Sequence, residues 1–141
     1  MRVLALDHGT KRIGVAISDE LGIIAQPLEF IPAEPIEIFY HRVTIILAEK
    51  QVGEIVVGMP FNMDGSIGPA AEKVERFVAE LKTRVTQPVH TCDERLTTCE
   101  AEDLLISAGN RRRKRKQVID KMAAAVLLQS YLDERTPGAG E

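Results

Sequence analysis

Residues Val3-Leu4-Ala5-Leu6 are apolar at successive positions, and the run stops at Asp7. A strand whose two side-chain directions are both apolar must be covered on both faces, which places it at the centre of a layered sheet. Gly9 then permits a tight turn and Ile13 to Ile17 supply a second strand. Asp19 to Gly22 offer another turn into a third strand at Ile23-Ile24-Ala25. The first third of the chain thus reads as a meander.

Beyond Pro32 and Pro35 the pattern changes period: Ile36, Phe39, Tyr40, Val43, Ile46 and Leu47 recur at helical spacing. Ile55-Val56-Val57 forms a short β-branched strand ending at Gly58. Pro69 precedes a helical stripe of Val74, Phe77, Val78 and Leu81, and Val89 to Cys92 form a further strand. Thr97 and Glu100 have capping-box spacing for a helix through Ala108, with Gly109 and Asn110 as its stop. Val118, Met122, Val126 and Leu127 predict a terminal helix. The order β-β-β-α-β-α-β-α-α specifies an α/β fold, a mixed five-stranded sheet flanked by helices. With 141 residues the chain has one core, expected over residues 1–135, with a flexible tail over 136–141. Right-handed crossovers bring the C-terminal ends of the strands closing at Asp7, Gly58 and Cys92 to one rim, where open α/β sheets bind ligands.

Charge is segregated along the chain. Arg111, Arg112, Arg113, Lys114, Arg115 and Lys116 are consecutive, which leaves 12 basic against 21 acidic residues elsewhere. An acidic body with one concentrated basic run suits local attraction of a polyanion, although a solvated run or an acidic protein partner explains the same residues. The two cysteines, Cys92 and Cys99, lack CxxC spacing and are too few for a disulfide framework. No segment reaches the roughly 20 apolar residues of a membrane span, and no secretory signal stands out. A cytoplasmic protein without membrane attachment is expected.

Three acidic positions draw attention. Asp7 heads the segment Asp7-His8-Gly9-Thr10-Lys11-Arg12-Ile13-Gly14, where a carboxylate, a glycine turn and two cations suit phosphate bridged by a hard cation. An ordinary hairpin capped by Asp7 explains the same residues. Asp93 and Glu94 follow a buried strand; alternation of side-chain direction allows only one of them to face a shared metal, and a helix-entry role explains both. Asp120 is expected in the first turns of the terminal helix, beside Ala123-Ala124-Ala125, where small residues permit close approach to the sheet. A partner for the helix dipole is the plainer explanation there.

Taken together and in order, Asp7 through Asp19, Val57-Gly58-Met59-Pro60 leading to Asn62-Met63-Asp64-Gly65, Asp93-Glu94-Arg95-Leu96-Thr97-Thr98, and Asp120 with its alanines resemble the YqgF family across nearly the whole chain. That family is associated with Holliday junction resolution and with maturing the precursor of small-subunit ribosomal RNA. The resemblance implies a ribonuclease H-like fold and an acidic active site of Asp7, Glu94 and Asp120 holding Mg2+ or Mn2+. Many ribonuclease H-like nucleases carry an acid at the end of the fourth strand, where this chain has Gly58-Met59-Pro60. Glu94 would substitute for it, with Asp93 in reserve. Thr10, Lys11, Arg12 and Arg95 would contact phosphate near the metal, and Arg111 to Lys116 farther away.

The implied activity is metal-dependent hydrolysis of phosphodiester bonds in structured nucleic acid, preferably at the 5′ end of precursor small-subunit ribosomal RNA. The substrates implied are structured RNA or branched DNA, and the protein a monomer or weak homodimer. Alternatives are a Holliday junction resolvase, a noncatalytic RNA-binding assembly factor, and an actin-like phosphotransferase. The last needs two such domains around its nucleotide, and 141 residues build one.

Overall fold

The computed structural model describes residues 1–96 and 112–139, with side chains described for residues 1–95 and 122–135. The described elements run β1 (Arg2–His8), β2 (Arg12–Ser18), β3 (Ala25–Pro32), α1 (Ile36–Glu49), β4 (Val52–Met59), α2 (Pro69–Arg84), β5 (Val89–Asp93), a 3-10 turn (Glu94–Leu96) and α3 (Arg112–Ala139). The sheet order is β3-β2-β1-β4-β5. β1 pairs antiparallel with β2 and parallel with β4, and β4 pairs parallel with β5. The three parallel strands therefore end together, with Leu6 opposite Val57 and Met59 opposite Asp93.

Alternation along β1 sorts its apolar run into two cores. Leu4 and Leu6 pack with Phe39, Val43, Phe77 and Leu81 beneath α1 and α2, whereas Val3 and Ala5 pack with Ala16, Val56, Ala124, Ala125, Leu128 and Leu132 beneath α3. The sheet is the middle of three layers. Burying side chains such as Leu4, Leu6 and Ile55 stabilises it by about 1.5–3 kcal/mol each. The α3 face is lined with alanine, which lets that helix lie close.

The third strand begins later than expected. Ile23 and Ile24 are 52% and 61% exposed and belong to the turn, and β3 starts at Ala25 opposite Ser18. The Asp19 carboxylate accepts the Ile23 and Ile24 N–H groups at 2.7 and 3.0 Å, so side-chain bonding holds these β-branched residues in a turn. Pro27 and Pro32 are tolerated because β3 is an edge strand.

α3 also differs from expectation. It starts at Arg112, so residues 112–116 of the basic run lie on its opening turns, and Asp120, expected in its first turns, stands in the third. It continues to Ala139, past the start of the expected tail, because apolar spacing reports where a helix is buried and not where it ends. The expected helix from Thr97 to Ala108, its stop at Gly109 and Asn110, and Arg111 lie outside the described residues.

At the far end of the sheet, Glu54 on β4 is buried, with its side chain 6% exposed. Arg135 of α3 forms an ion pair with it, the Tyr131 hydroxyl donates to it at 3.1 Å, and His90 lies 3.4 Å away. A buried carboxylate needs such partners, and these tie α3 to the sheet.

Candidate functional site

Asp7 continues the Val3 and Ala5 side of β1 and so belongs to the α3 face. Gly58, two residues beyond Val56, belongs to the same face of β4, and Glu94 to the same side as Cys92 on β5. Glu94 reaches back across the end of β4. A Cβ on Gly58 would stand 2.6 Å from Glu94 Oε1, 2.8 Å from its Cγ and 2.9 Å from Leu127 Cδ2. Glycine at the end of β4 leaves the space that the glutamate following β5 fills.

Glu94 is hydrogen-bonded to Asp7, and its carboxyl is pushed up to about 9 by burial, by that bond, and by the negative charges of Asp7 and Asp93. Burial and the neighbouring negative charges disfavour the ionised form of Glu94, and a countercharge would relieve both. A hard divalent cation is such a countercharge, and oxygen donors in a recess opened by glycine suit Mg2+ or Mn2+. Asp7 and Glu94 therefore fit a metal. Among the described residues no group of three metal-ligating side chains is gathered. The side chain of Asp120 is outside the described set; its backbone lies one turn before Ala123 and Ala124 on α3.

Asp93 faces away from this pair. Its carboxylate accepts from Arg95 Nε at 3.0 Å, from Arg95 Nη2 at 2.6 Å and from the Arg95 backbone N–H at 3.0 Å. These bonds hold its carboxyl below the usual range. Arg95 in turn donates to the Met63 carbonyl at 3.1 Å, and its guanidinium lies over Phe61. Asp93 and Arg95 thus brace the loop after β4. That loop closes on itself as well, with Gly65 N–H donating to the Asn62 carbonyl at 2.8 Å and Ser66 Oγ donating to the Asp64 carboxylate at 2.6 Å. Asp64 is occupied by Ser66, which accounts for it as a turn residue.

A cleft of about 260 Å³ opens beside Asp7, lined by Gly9, Thr10, Lys11, Arg12, Phe30 and Ala123 among others. Gly9 N–H donates to the Arg12 carbonyl at 3.0 Å, and a Cβ on Gly9 would be 2.6 Å from that oxygen, so the turn requires glycine for closeness. Arg12 stacks over Phe30 with its guanidinium carbon 4.0 Å from the ring centre. Ala123 brings the cleft to within one turn of Asp120. The structure thus brings Thr10, Lys11 and Arg12 to the Asp7 pair, while Arg95 sits on the opposite flank. The side chains of Arg112, Arg113, Lys114, Arg115 and Lys116 fall outside the described set.

Cys92 is half-buried, and its thiol is pushed up to about 11, first by burial and then by nearby acids, as befits a packing residue. Cys99 lies outside the described residues. Sequence reasoning passed over Phe30 and Lys73, and read Gly58 as a lost acid instead of as space for a neighbouring side chain. His8 rests on Phe77 with ring centres 4.6 Å apart, and its pKa is lowered by burial and by Lys73.

Residues 1–134 match the family model described as "RuvX: Holliday junction resolvase". A protein of Desulforamulus reducens named "Putative pre-16S rRNA nuclease" is 52% identical over 94% of this chain and 97% of its own. One of the same name from Geobacillus kaustophilus is 53% identical over 96% and 99%. Among solved structures, "T. thermophilus RuvC in complex with Holliday junction substrate" superposes with TM-score 0.60 at 18% identity, covering 96% of each chain. The Holliday junction resolvase of fowlpox virus gives 0.54 at 14%, covering 95% and 99%. These structural likenesses give a ribonuclease H-like fold.

Proposed function

The chain belongs to the RuvX family, the family its motifs resemble under the name YqgF, and from that premise we propose that it is a divalent-metal-dependent endonuclease maturing the 5′ end of precursor small-subunit ribosomal RNA. The observation that supports this most is the Asp7–Glu94 carboxyl pair, whose Asp7 lines a cleft together with Thr10, Lys11 and Arg12. The relatives named for pre-16S ribosomal RNA, at about half identity over nearly the full length, support the choice of substrate.

Asp7 and Glu94, with Asp120 as the third acid, would hold Mg2+ or Mn2+. When bound, the ion supplies a lowered water pKa and neutralises charge developing on the attacking and leaving oxygens. Glu94, whose carboxyl is raised to about 9, would give up its proton on taking a cation. Thr10, Lys11 and Arg12 position the scissile phosphate, and Arg95 keeps the loop after β4 in place beside Glu94. Arg111, Arg112, Arg113, Lys114, Arg115 and Lys116 hold the backbone farther along, through salt-sensitive contacts without sequence information. Among the described residues no helix is long and apolar enough to cross a membrane. The protein works in the cytoplasm as a monomer or weak homodimer.

The deciding assay offers precursor RNA spanning the mature 5′ end and a four-way DNA junction to the same enzyme with Mg2+. The proposal expects cleavage of the RNA to leave a 5′-phosphate and a 3′-hydroxyl. The family description favours a second reading, junction resolution, which calls for paired symmetric cuts by two sites. Paired cuts in the junction with intact RNA would establish it instead. Binding of both without any cut would make the chain an assembly factor.

A further inference from the structure

Asp7 and His8 are neighbours on β1 and so stand on opposite faces of the sheet. The face opposite the acid pair carries its own cavity, about 340 Å³, between the β1–β2 turn, α1 and α2. Its walls include His8, Thr10, Glu34, Lys73, Arg76 and Phe77. Thr10 lines both this cavity and the cleft beside Asp7. The two openings are therefore separated only by the tip of the turn, and a nucleic-acid strand laid over that tip meets both.

We propose that this second cavity is a nucleotide subsite, which receives an unpaired nucleotide flanking the scissile phosphate and favours a base carrying an exocyclic amine. The inference rests on the nuclease reading above and names what the neighbouring residue of the strand does. Lys73 and Arg76 are exposed and three positions apart on α2, so they present two cations on one edge of the helix to a phosphate. The apolar wall is formed by Phe77 and His8, whose rings lie 4.6 Å apart and tilted by 49°, with Ala33 and Ile36 beside them. Apolar side chains along one wall give a base a surface to rest against. Glu34 and Glu80 border the same space; Glu80 is paired with Arg84 at 3.7 Å, which leaves Glu34, exposed at the rim, as the carboxylate that accepts from the amine of cytosine or adenine and repels the carbonyl edge of uracil. A base paired within a duplex cannot enter a recess between the β1–β2 turn and two helices, so the nucleotide bound there is extrahelical.

The test is an amide NMR titration of the full-length, metal-free protein with CMP, UMP and inorganic phosphate. CMP is expected to shift Thr10, Lys73, Arg76 and Phe77 and to bind about fivefold more tightly than UMP, with phosphate perturbing Lys73 and Arg76 alone. The double substitution Lys73→Ala/Arg76→Ala is expected to weaken CMP about tenfold, a loss equivalent to 1.4 kcal/mol, with the remaining spectrum unchanged. Shifts confined to Lys11, Arg12 and Ala123, equal binding of CMP and UMP, or no shift at saturating nucleotide would each overturn the subsite. Cleavage is measured separately. Binding at Lys73 by a protein that cuts no RNA supports the subsite and refutes the nuclease reading, whereas RNA cleavage with CMP shifts that avoid Lys73 does the reverse.

Discussion

Glu94 occupies the space that a side chain at Gly58 would claim, its Oε1 only 2.6 Å from where that Cβ would stand. Glycine at the end of β4 is thus a condition for the glutamate after β5 to reach Asp7. Gly58→Ala should move Glu94 away from Asp7 and press on buried Leu127. Overpacking of this kind costs about 1–3 kcal/mol, and misplacing a ligand reduces metal affinity about 10–100-fold. Calorimetric titration with Mg2+ and urea denaturation measure the two effects; unchanged Mg2+ affinity in a folded Gly58→Ala protein would separate Gly58 from the metal site.

The raised Glu94 carboxyl predicts a direction for stability against pH. Below the value of an unfolded glutamate, about 4.3, both states are protonated and the contribution is fully present. As pH rises further the unfolded chain ionises first, so stability falls until the folded group itself titrates at about 9. The Tm of metal-free protein should therefore decline between pH 5 and 9. Mg2+ should flatten the decline by binding the ionised pair, and Glu94→Gln should flatten it without metal. Thermal melts across that range check the sign, and a wild-type slope retained by Glu94→Gln would assign the effect to another group.

Asp93 and Glu94 are adjacent yet have separate tasks, which the alternation of a strand foreshadowed. Asp93→Ala should release Arg95 from its three acceptor contacts and loosen the loop after β4. The expected cost is about 1–2 kcal/mol, since the pair keeps some solvent exposure. Mg2+ affinity should stay within about twofold of wild type, because the carboxylate does not face the acid pair. Hydrogen exchange at Asn62, Gly65 and Ser66 should quicken; unchanged exchange there would remove the brace.

Much of this arrangement was legible in the chain. Residues 3–6 announced a doubly covered strand, and the helical spacing from Phe39 to Leu47 named the residues that α1 buries. Family motifs pointed to Asp7 and Glu94. Three things were hidden because they depend on space and not on spacing. The Asp19 carboxylate turned Ile23 and Ile24 out of a strand. Gly58 appeared as a lost acid, when it is the room another acid needs. Phe77 read as core, and it is core, yet its edge also lines a cavity whose other walls come from β1, the β1–β2 turn, the β3–α1 connection and α1.

The buried Glu54 cluster should govern how firmly α3 is held. Arg135→Ala removes the ion-pair partner and leaves the carboxylate to Tyr131 and His90. Removing one member of a buried pair costs about 3–5 kcal/mol, and the partial exposure of Arg135 places the expected loss near the lower figure. Denaturant titration reads it directly. Glu54→Gln, which keeps acceptors and hydrogen bonding without the buried charge, should lose less; a larger loss than Arg135→Ala would show that the charge itself is required.

Cleavage by Asp7→Asn bears on the central claim most directly. The substitution keeps size and hydrogen bonding but removes the charge of the pair's member that lines the cleft. With Mg2+ and precursor ribosomal RNA, the variant should bind the RNA within about threefold of wild type, because cations dominate affinity, while its cleavage rate falls by a factor of about 100 or more. Wild-type cleavage by folded Asp7→Asn would contradict a metal-dependent site built on Asp7 and Glu94.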